Sequence, residues 1–283
     1  MNEIVDQYAV MGNPIAHSKS PTIHRLFAQQ TAQSINYAAI LVELGAFAVT
    51  AKAFVSKGGK GCNVTVPFKQ DAWAFVDIRS ARAERAGAVN LIDFRADGSV
   101  YGDNTDGVGL VRDLKRNLGI NLAGKSILLL GAGGAARGVL EPLLGEKPSR
   151  IVIANRTLEK AQELVKIFSK LGEVAACSLE DVAPLGRVDL VINATAASLH
   201  GKALALPGAI VEGAACYDMM YGRAPTAFMA WALEHGAKQV HDGLGMLVEQ
   251  AAESFFVWRG ARPQTAPIIR RLRESVATGL EIL

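Results

Sequence analysis

The sequence predicts an α/β protein of two domains built on largely parallel sheets. Three observations carry this. Short apolar runs alternate with helical patterns along most of the chain, the mark of βαβ units. The most apolar run, Ile127-Leu128-Leu129-Leu130, leads straight into Gly131-Ala132-Gly133-Gly134-Ala135-Ala136 and a helical pattern. Near Asp106, mixed elements with a hairpin signal give way to regular strand–helix alternation, which sets a domain boundary there. The length of 283 residues suits one large or two ordinary domains.

In the first domain, Tyr8-Ala9-Val10-Met11 reads as a strand ending at Gly12. A polar loop, 13–20, and a helix to about Gln30 follow. Residues 37–42 make a second strand, and a helix runs to about Val55. Gly58-Gly59-Lys60-Gly61 reads as a turn, and Cys62-Asn63-Val64-Thr65-Val66 as a third strand stopped by Pro67. Residues 88–94 and 99–102 flank Asp97-Gly98, a hairpin signal. The second domain opens with a helix at 107–118. Strands at 127–130, 151–154 and 190–193 then alternate with helices at 135–144 and 157–171. Beyond Asp242-Gly243-Leu244-Gly245, one helix runs to about Trp258 and another covers 268–276. Pattern alone leaves open whether these cap the second domain or return to the first.

Composition excludes several classes. Apolar residues at 50% and charged residues at 20% describe a globular chain with a large core rather than a disordered one. The net charge of +3, from 30 basic and 27 acidic side chains, is small and scattered, which speaks against nucleic acid as a partner. No apolar run reaches the roughly 18 residues of a transmembrane helix. The acidic start, Met1-Asn2-Glu3-Ile4-Val5-Asp6, does not read as a signal peptide. Cys62, Cys177 and Cys216 are odd in number, widely spaced and without a CxxC pair. They predict reduced cytoplasmic thiols, not a disulfide framework or a metal site.

The glycine turn follows the GxGxxA form of the dinucleotide fingerprint. Small residues let the chain turn tightly and let helix N-terminal amides approach a pyrophosphate. The other reading is a glycine-rich turn without a ligand. The next strand ends in Asn155-Arg156-Thr157. An NAD site places a carboxylate there for the ribose hydroxyl, whereas a guanidinium pairs with a 2′-phosphate. Thr157 reads as the N-cap of the following helix, with Lys160 one turn on. These residues favour NADP over NAD; the alternative for Arg156 is a solvated surface arginine.

A nicotinamide enzyme needs a proton donor and acceptor beside the carbon that exchanges hydride. Lys69 lies just past the third strand, in an apolar setting that lowers a lysine pKa. Asp106 ends Gly102-Asp103-Asn104-Thr105-Asp106-Gly107 at the domain joint. Each also reads as an ordinary helix-start or turn residue. In Ser18-Lys19-Ser20-Pro21, Ser20 suits an N-cap and Pro21 the first helical position. The exposed amides and hydroxyls there suit a carboxylate. His17 and His24 read as structural or exposed rather than catalytic.

Together these segments closely resemble the shikimate dehydrogenase family. The resemblance rests on Gly12-Asn13-Pro14-Ile15-Ala16-His17-Ser18-Lys19-Ser20-Pro21, Asn63-Val64-Thr65-Val66-Pro67-Phe68-Lys69, Gly87-Ala88-Val89-Asn90, the 102–107 segment, the glycine turn, Asn155-Arg156-Thr157, Asn193-Ala194-Thr195, Tyr217-Asp218-Met219 and Asp242-Gly243-Leu244-Gly245-Met246. It implies a substrate-binding catalytic domain at 1–106, a Rossmann-type NADP domain at 107–242, and C-terminal helices at 243–283 packing on the first domain. It implies NADPH-dependent reversible reduction of 3-dehydroshikimate to shikimate by a cytoplasmic monomer or homodimer, without metal, membrane or nucleic acid. By the same resemblance, Lys69 and Asp106 form the catalytic pair. Ser18 and Ser20 take the substrate carboxylate, and Thr65, Lys69, Asn90, Asp106, Tyr221 and Gln250 the rest of the substrate. Gly131, Ala132, Gly133, Gly134, Ala135, Asn155, Arg156, Thr157, Lys160, Thr195, Met219 and Gly243 approach the cofactor. Two departures stand out. Ala81 replaces an acidic residue implicated in the cofactor site, and Ala196-Ala197 replaces serines after Asn-Ala-Thr. The competing readings are a quinate/shikimate dehydrogenase that also uses NAD, which Arg156 speaks against, and a noncatalytic NADP-binding sensor, which would have lost Lys69 or Asp106.

Overall fold

The computed structural model describes residues 5–195, 197 and 205–278. It divides into two compact units, one of Met1–Gly109 with Val248–Ser275, the other of Leu110–Leu247.

The first unit holds a six-stranded sheet in the order β2-β1-β3-β5-β6-β4. Its strands are β1 (Asp6–Gly12), β2 (Ile35–Leu41), β3 (Gly59–Val64), β4 (Ile78–Arg79), β5 (Leu91–Phe94) and β6 (Val100–Asp103). β1 pairs in parallel with β2 and β3, whereas β5 runs antiparallel to β3 and β6. The helices are α1 (Ser20–Thr31), α2 (Phe47–Ser56), α3 (Lys69–Phe75) and α4 (Ala81–Ala86). Alternation along β1 sends Ala9 and Met11 into a cluster with Phe47, Phe68 and Ile92, and Tyr8 and Val10 to the opposite face. That second face receives the long C-terminal helix. Trp258 packs on Tyr8 with ring centroids 4.7 Å apart and donates its indole N–H to the Ile92 carbonyl at 3.0 Å. The C-terminal helices therefore return to the first unit.

The third strand differs from its sequence reading. It starts at Gly59 and ends at Val64, so three residues taken for a turn, Gly59, Lys60 and Gly61, are strand residues. Two of them are glycines because neighbours lie flat on them: a Cβ on Gly59 would enter the Phe54 ring, and one on Gly61 the Trp258 indole. Ser20 is also not an N-cap. It is the first residue of α1, and the N-cap is Lys19, whose side chain makes no capping bond.

The second unit holds β7 (Ser126–Leu130), β8 (Arg150–Asn155), β9 (Val174–Ser178), β10 (Leu190–Asn193), β11 (Ala215–Asp218) and β12 (Gln239–His241). They form one sheet, parallel throughout, in the order β12-β11-β10-β7-β8-β9. This is the doubly wound dinucleotide-binding order. Ile127 and Leu129 face one apolar cluster and Leu128 and Leu130 the other, so β7 is buried on both sides. The helices are α5 (Asp106–Arg112), which continues as a π-turn over Asp113–Asn117, then α6 (Gly134–Gly145), α7 (Leu158–Phe168) and α8 (Ala227–Glu234); α9 (Leu244–Arg259) and α10 (Ala266–Thr278) follow. Among the described residues no helix is long and apolar enough to cross a membrane.

Candidate active site

The site in the first unit grows from the C-terminal ends of β1, β3 and β6. The next-to-last residue of β3, Asn63, is polar and buried, which would be costly there without partners. It has three: the Tyr37 hydroxyl donates to Asn63 Oδ1 at 2.8 Å, and Asn63 Nδ2 donates to the Asn90 carbonyl at 3.1 Å and to Ser254 Oγ at 2.8 Å. Burial pushes the Tyr37 phenol well above its ordinary value, with the Ser20 hydroxyl partly offsetting this. The loop of Ser18 and Ser20 is tied to the loop of Thr65, because Asn13 N–H donates to the Val66 carbonyl at 3.1 Å and Thr65 N–H to the Met11 carbonyl at 2.9 Å. Gly12 has no room for a side chain against Thr65. Ser18 Oγ accepts from Ser20 N–H at 3.3 Å, an ordinary local turn that leaves its own proton to donate.

Past Thr65 the chain turns into α3, and Lys69 is its first residue. Lys69 Nζ lies 2.5 Å from Asp106 Oδ2, with the two side chains 29% and 12% exposed. The lysine setting is thus an ion pair rather than the apolar surroundings expected from its neighbours. The other carboxylate oxygen of Asp106 accepts from Asn90 Nδ2 at 2.7 Å. Asn90 is held in turn, since its Oδ1 accepts from Thr105 N–H at 2.8 Å and its own N–H donates to the Asp103 carbonyl at 3.0 Å. Thr105 Oγ1 approaches Gln250 Oε1 at 3.4 Å. The structure therefore joins Lys69, Asp106, Asn90 and Gln250 in one hydrogen-bonded lattice, with Ser18 and Thr65 on adjoining loops and Ser20 at the start of α1. Tyr221 belongs to the second unit; burial and the nearby Asp242 push its phenol up.

Four residues of this lattice escape the sequence reading as site residues: Tyr37, Asn63, Thr105 and Ser254. A polar residue inside an apolar strand was the only available signal, and only Asn63 carries it. His24 is fully buried among aromatic rings, and His17 is exposed.

The second unit places the glycine turn at the end of β7 and Thr195 at the end of β10, where the strand order reverses. Such a switch point opens a crevice at the carboxyl ends of the strands. Gly131 has φ +103°, and a Cβ there would touch Thr195 Cγ2 at 3.0 Å. A Cβ on Gly133 or Gly134 would meet nothing within 4 Å, so space lies open before the start of α6. The N-cap of α6 is Gly133, which offers no side chain to its amides. A helix N-terminus left open in this way suits a pyrophosphate, and these residues fit a dinucleotide. The side chains of Arg156 and Lys160 are exposed and, among the described residues, make no hydrogen bond or ion pair; the Lys160 N–H donates to the Thr157 carbonyl at 3.2 Å. Thr157 sits at the N-cap of α7, yet its hydroxyl caps nothing; its carbonyl accepts from Asn155 Nδ2 at 2.8 Å. Gly243 packs against the Met219 backbone so closely that no Cβ fits. Ala81 is exposed at the start of α4. Ala196 lies outside the described residues, and Ala197 N–H approaches Thr195 Oγ1 at 3.4 Å. Among the described residues no group of His, Cys, Asp and Glu is placed to hold a metal.

Known proteins match both units. Family models match as a shikimate dehydrogenase substrate-binding domain over residues 10–92, a shikimate/quinate 5-dehydrogenase over 113–201, and a shikimate 5′-dehydrogenase C-terminal domain over 243–273. The NADP(+) shikimate dehydrogenase of Cellvibrio japonicus is 54% identical over 274 residues, covering 96% of this chain and 99% of that one. The crystal structure of an Ael1 enzyme from Pseudomonas putida has a TM-score of 0.91 at 45% identity, covering 94% of this chain and 98% of that one. The shikimate 5-dehydrogenase of Thermus thermophilus, solved with NADP(H) and shikimate, has a TM-score of 0.84 at 32% identity, covering 96% and 100%.

Proposed function

The chain belongs to the shikimate dehydrogenase family, and on that premise we propose that Lys69 and Asp106 are the pair that carries its reaction. The reaction is the NADP-dependent, reversible reduction of 3-dehydroshikimate to shikimate, a step of the shikimate pathway toward chorismate and the aromatic amino acids. When bound, the cofactor supplies or takes the hydride. The protein has to supply or take the proton, and a positioned acid–base group contributes about 10²–10⁴-fold to such a step.

Lys69 Nζ is the proton-carrying atom. It hands a proton to the oxygen of the carbonyl being reduced and recovers one from the hydroxyl in the reverse direction. Asp106 orients the ammonium through the 2.5 Å contact, the single observation that supports this reading most. Asn90 fixes Asp106 by holding its second oxygen. Ser18 and Ser20 donate to the substrate carboxylate, while Thr65, Tyr221 and Gln250 orient its hydroxyls and ring. Residues 131–135 take the pyrophosphate, with Thr195, Met219 and Gly243 alongside. Asn155, Arg156, Thr157 and Lys160 take the 2′-phosphate end. The enzyme works in the cytoplasm as a monomer or homodimer.

One assay tests the whole reading: purified protein with shikimate or quinate and NADP or NAD, followed at the reduced-nicotinamide absorbance. Turnover is expected with shikimate and NADP above the other three combinations. Preference for quinate or for NAD would overturn the pocket and Arg156 assignments, and no turnover in any combination would overturn the catalytic pair.

A further inference from the structure

We propose that Arg82 is a positioning residue for Asp106, acting through the buried carboxylate of Asp103. The proposal rests on the Lys69–Asp106 reading. Asp103, the last residue of β6, is 2% exposed, where an ionised carboxylate is costly unless fully partnered. It is fully partnered. Oδ1 accepts from Arg82 Nε at 2.7 Å, from the Ser80 hydroxyl and from Asn104 N–H at 2.7 Å; Oδ2 accepts from Arg82 Nη2 at 2.5 Å. Arg82 grips it with two parallel bonds, a geometry that fixes the rotation of the carboxylate as well as its position.

That rotation matters three residues on, at Asp106. Asp103 Oδ1 accepts from the backbone N–H of Asn104 and so fixes that residue, and Asn104 Oδ1 accepts the backbone N–H of Asp106 at 3.2 Å. The Asp103 carbonyl accepts from Asn90 N–H at 3.0 Å, and the Asn90 side chain holds Asp106 Oδ1 at 2.7 Å. Both the backbone and the carboxylate of Asp106 are thus one residue removed from Asp103. Arg82 is itself held. Ser80 caps α4 by accepting from Ala83 N–H at 3.1 Å while donating to Asp103, so one hydroxyl fixes both the helix start and the carboxylate. Glu253 of α9 lies 3.6 Å from Arg82 Nη2 and is bonded by Arg262 at 2.9 Å. Burial alone disfavours the charged guanidinium, and Asp103 and Glu253 more than compensate.

A purely structural ion pair is often replaceable without loss. A positioning pair is not, because lysine keeps the charge but gives up the fork. The test uses the whole protein with saturating NADP and varied shikimate, comparing the parent with Arg82→Lys, Arg82→Ala and Asp106→Asn. Leu272→Ala, a core change in α10, gauges mere destabilisation. Arg82→Lys is expected to lower kcat by about tenfold or more, with the shikimate KM moving by less than about threefold, since a misplaced catalytic group costs rate rather than binding. Millimolar methylguanidinium should restore part of the Arg82→Ala kcat and leave Leu272→Ala unmoved. A folded Arg82→Lys within about twofold of the parent kcat overturns the proposal. So does an Arg82→Ala loss that methylguanidinium does not recover; if Arg82→Ala does not fold, Arg82→Lys decides alone. Parental kcat in Asp106→Asn would instead sink the catalytic-pair reading, a separate outcome from normal Arg82 variants beside an inactive Asp106→Asn.

Discussion

His24→Phe should remove a pH-dependent loss of stability that the parent shows below neutrality. His24 is 0% exposed and stacks on Tyr37, with ring centroids 4.1 Å apart and planes 4° apart. Phe27, Phe255 and Trp258 complete its surroundings. Neither ring nitrogen has a hydrogen-bond partner of good geometry. Burial pushes the imidazole down to about 3, with the Asn63 side chain pulling weakly the other way. The unfolded chain takes up this proton from about pH 6.5 downward, whereas the folded chain cannot until about pH 3. The unfolded state therefore binds more protons across that window, and stability falls as the pH is lowered through it. At about 1.4 kcal/mol per unit, the His24 contribution lost by pH 5 is about 2 kcal/mol, and the loss flattens near pH 3.

Phenylalanine preserves the stack and carries no proton. At pH 7 it relieves two unpaired ring nitrogens, roughly 1–3 kcal/mol, against a similar cost of overpacking. The discriminating quantity is the difference between two pH values. Urea unfolding followed by tryptophan fluorescence, with Trp258 5.5 Å from His24, gives the free energy of parent and variant at pH 7 and pH 5. Other carboxylates titrate in both proteins and cancel. The variant should gain about 2 kcal/mol on the parent between the two conditions. A gap that is equal at both pH values would mean that His24 is charged, or solvated, in the folded protein.

Three further outcomes follow from the site. Lys69→Met should lower kcat by at least ~10² with little change in shikimate affinity; a near-normal kcat would remove Lys69 from the mechanism. Lys69→Met/Asp106→Asn should be hardly slower than the worse single variant, because a coupled pair is lost as a unit; losses that multiply would demote Asp106 to binding. Arg156→Ala should weaken NADP by roughly 10–150-fold and leave NAD nearly unchanged, since one charge-assisted bond to phosphate is worth about 1.5–3 kcal/mol. Arg156→Asp should go further toward NAD, and equal losses for both cofactors in titrations would mean that Arg156 does not read the phosphate.

Which parts of the molecule the sequence exposes follows from how local each signal is. The run 127–130, its glycine turn and the 97–98 hairpin are local patterns, and each stands where the sequence puts it. β4 and β12, of two and three residues, leave no period to detect. β3 is misregistered because Gly59 and Gly61 look like turn residues until Phe54 and Trp258 are known to lie on them, and Trp258 comes from the far end of the chain. The site divides in the same way. Lys69, Asp106 and Asn90 sit in recognisable segments. Tyr37 and Ser254 reach Asn63 across sequence separations of 26 and 191 residues, so neither has a local signature. Arg82 looks like any charged residue of a short helix until β6 brings Asp103 beneath it.

Asn90 separates the Lys69–Asp106 pair from an ordinary surface ion pair. Exposed pairs are worth about 0–1 kcal/mol, because both side chains rotate freely and water competes. Here Asp106 is 9% exposed, and one of its oxygens is already committed to Asn90. The carboxylate cannot turn away without breaking a buried bond, so the remaining oxygen faces Lys69 at little further entropic cost. Lys69 meets the opposite condition. It stands at the first position of α3, where the helix dipole offers a cation nothing, and its side chain is 29% exposed. The fixed partner is therefore the carboxylate and the mobile one the ammonium. This asymmetry suits the proton carrier we propose: a group that is to reach the substrate oxygen and return keeps its freedom, and the group that defines where it returns does not. The same asymmetry makes Asp106, rather than Lys69, the residue whose surroundings the fold has to specify, and Asn90, Asn104 and Asp103 are the residues that specify them.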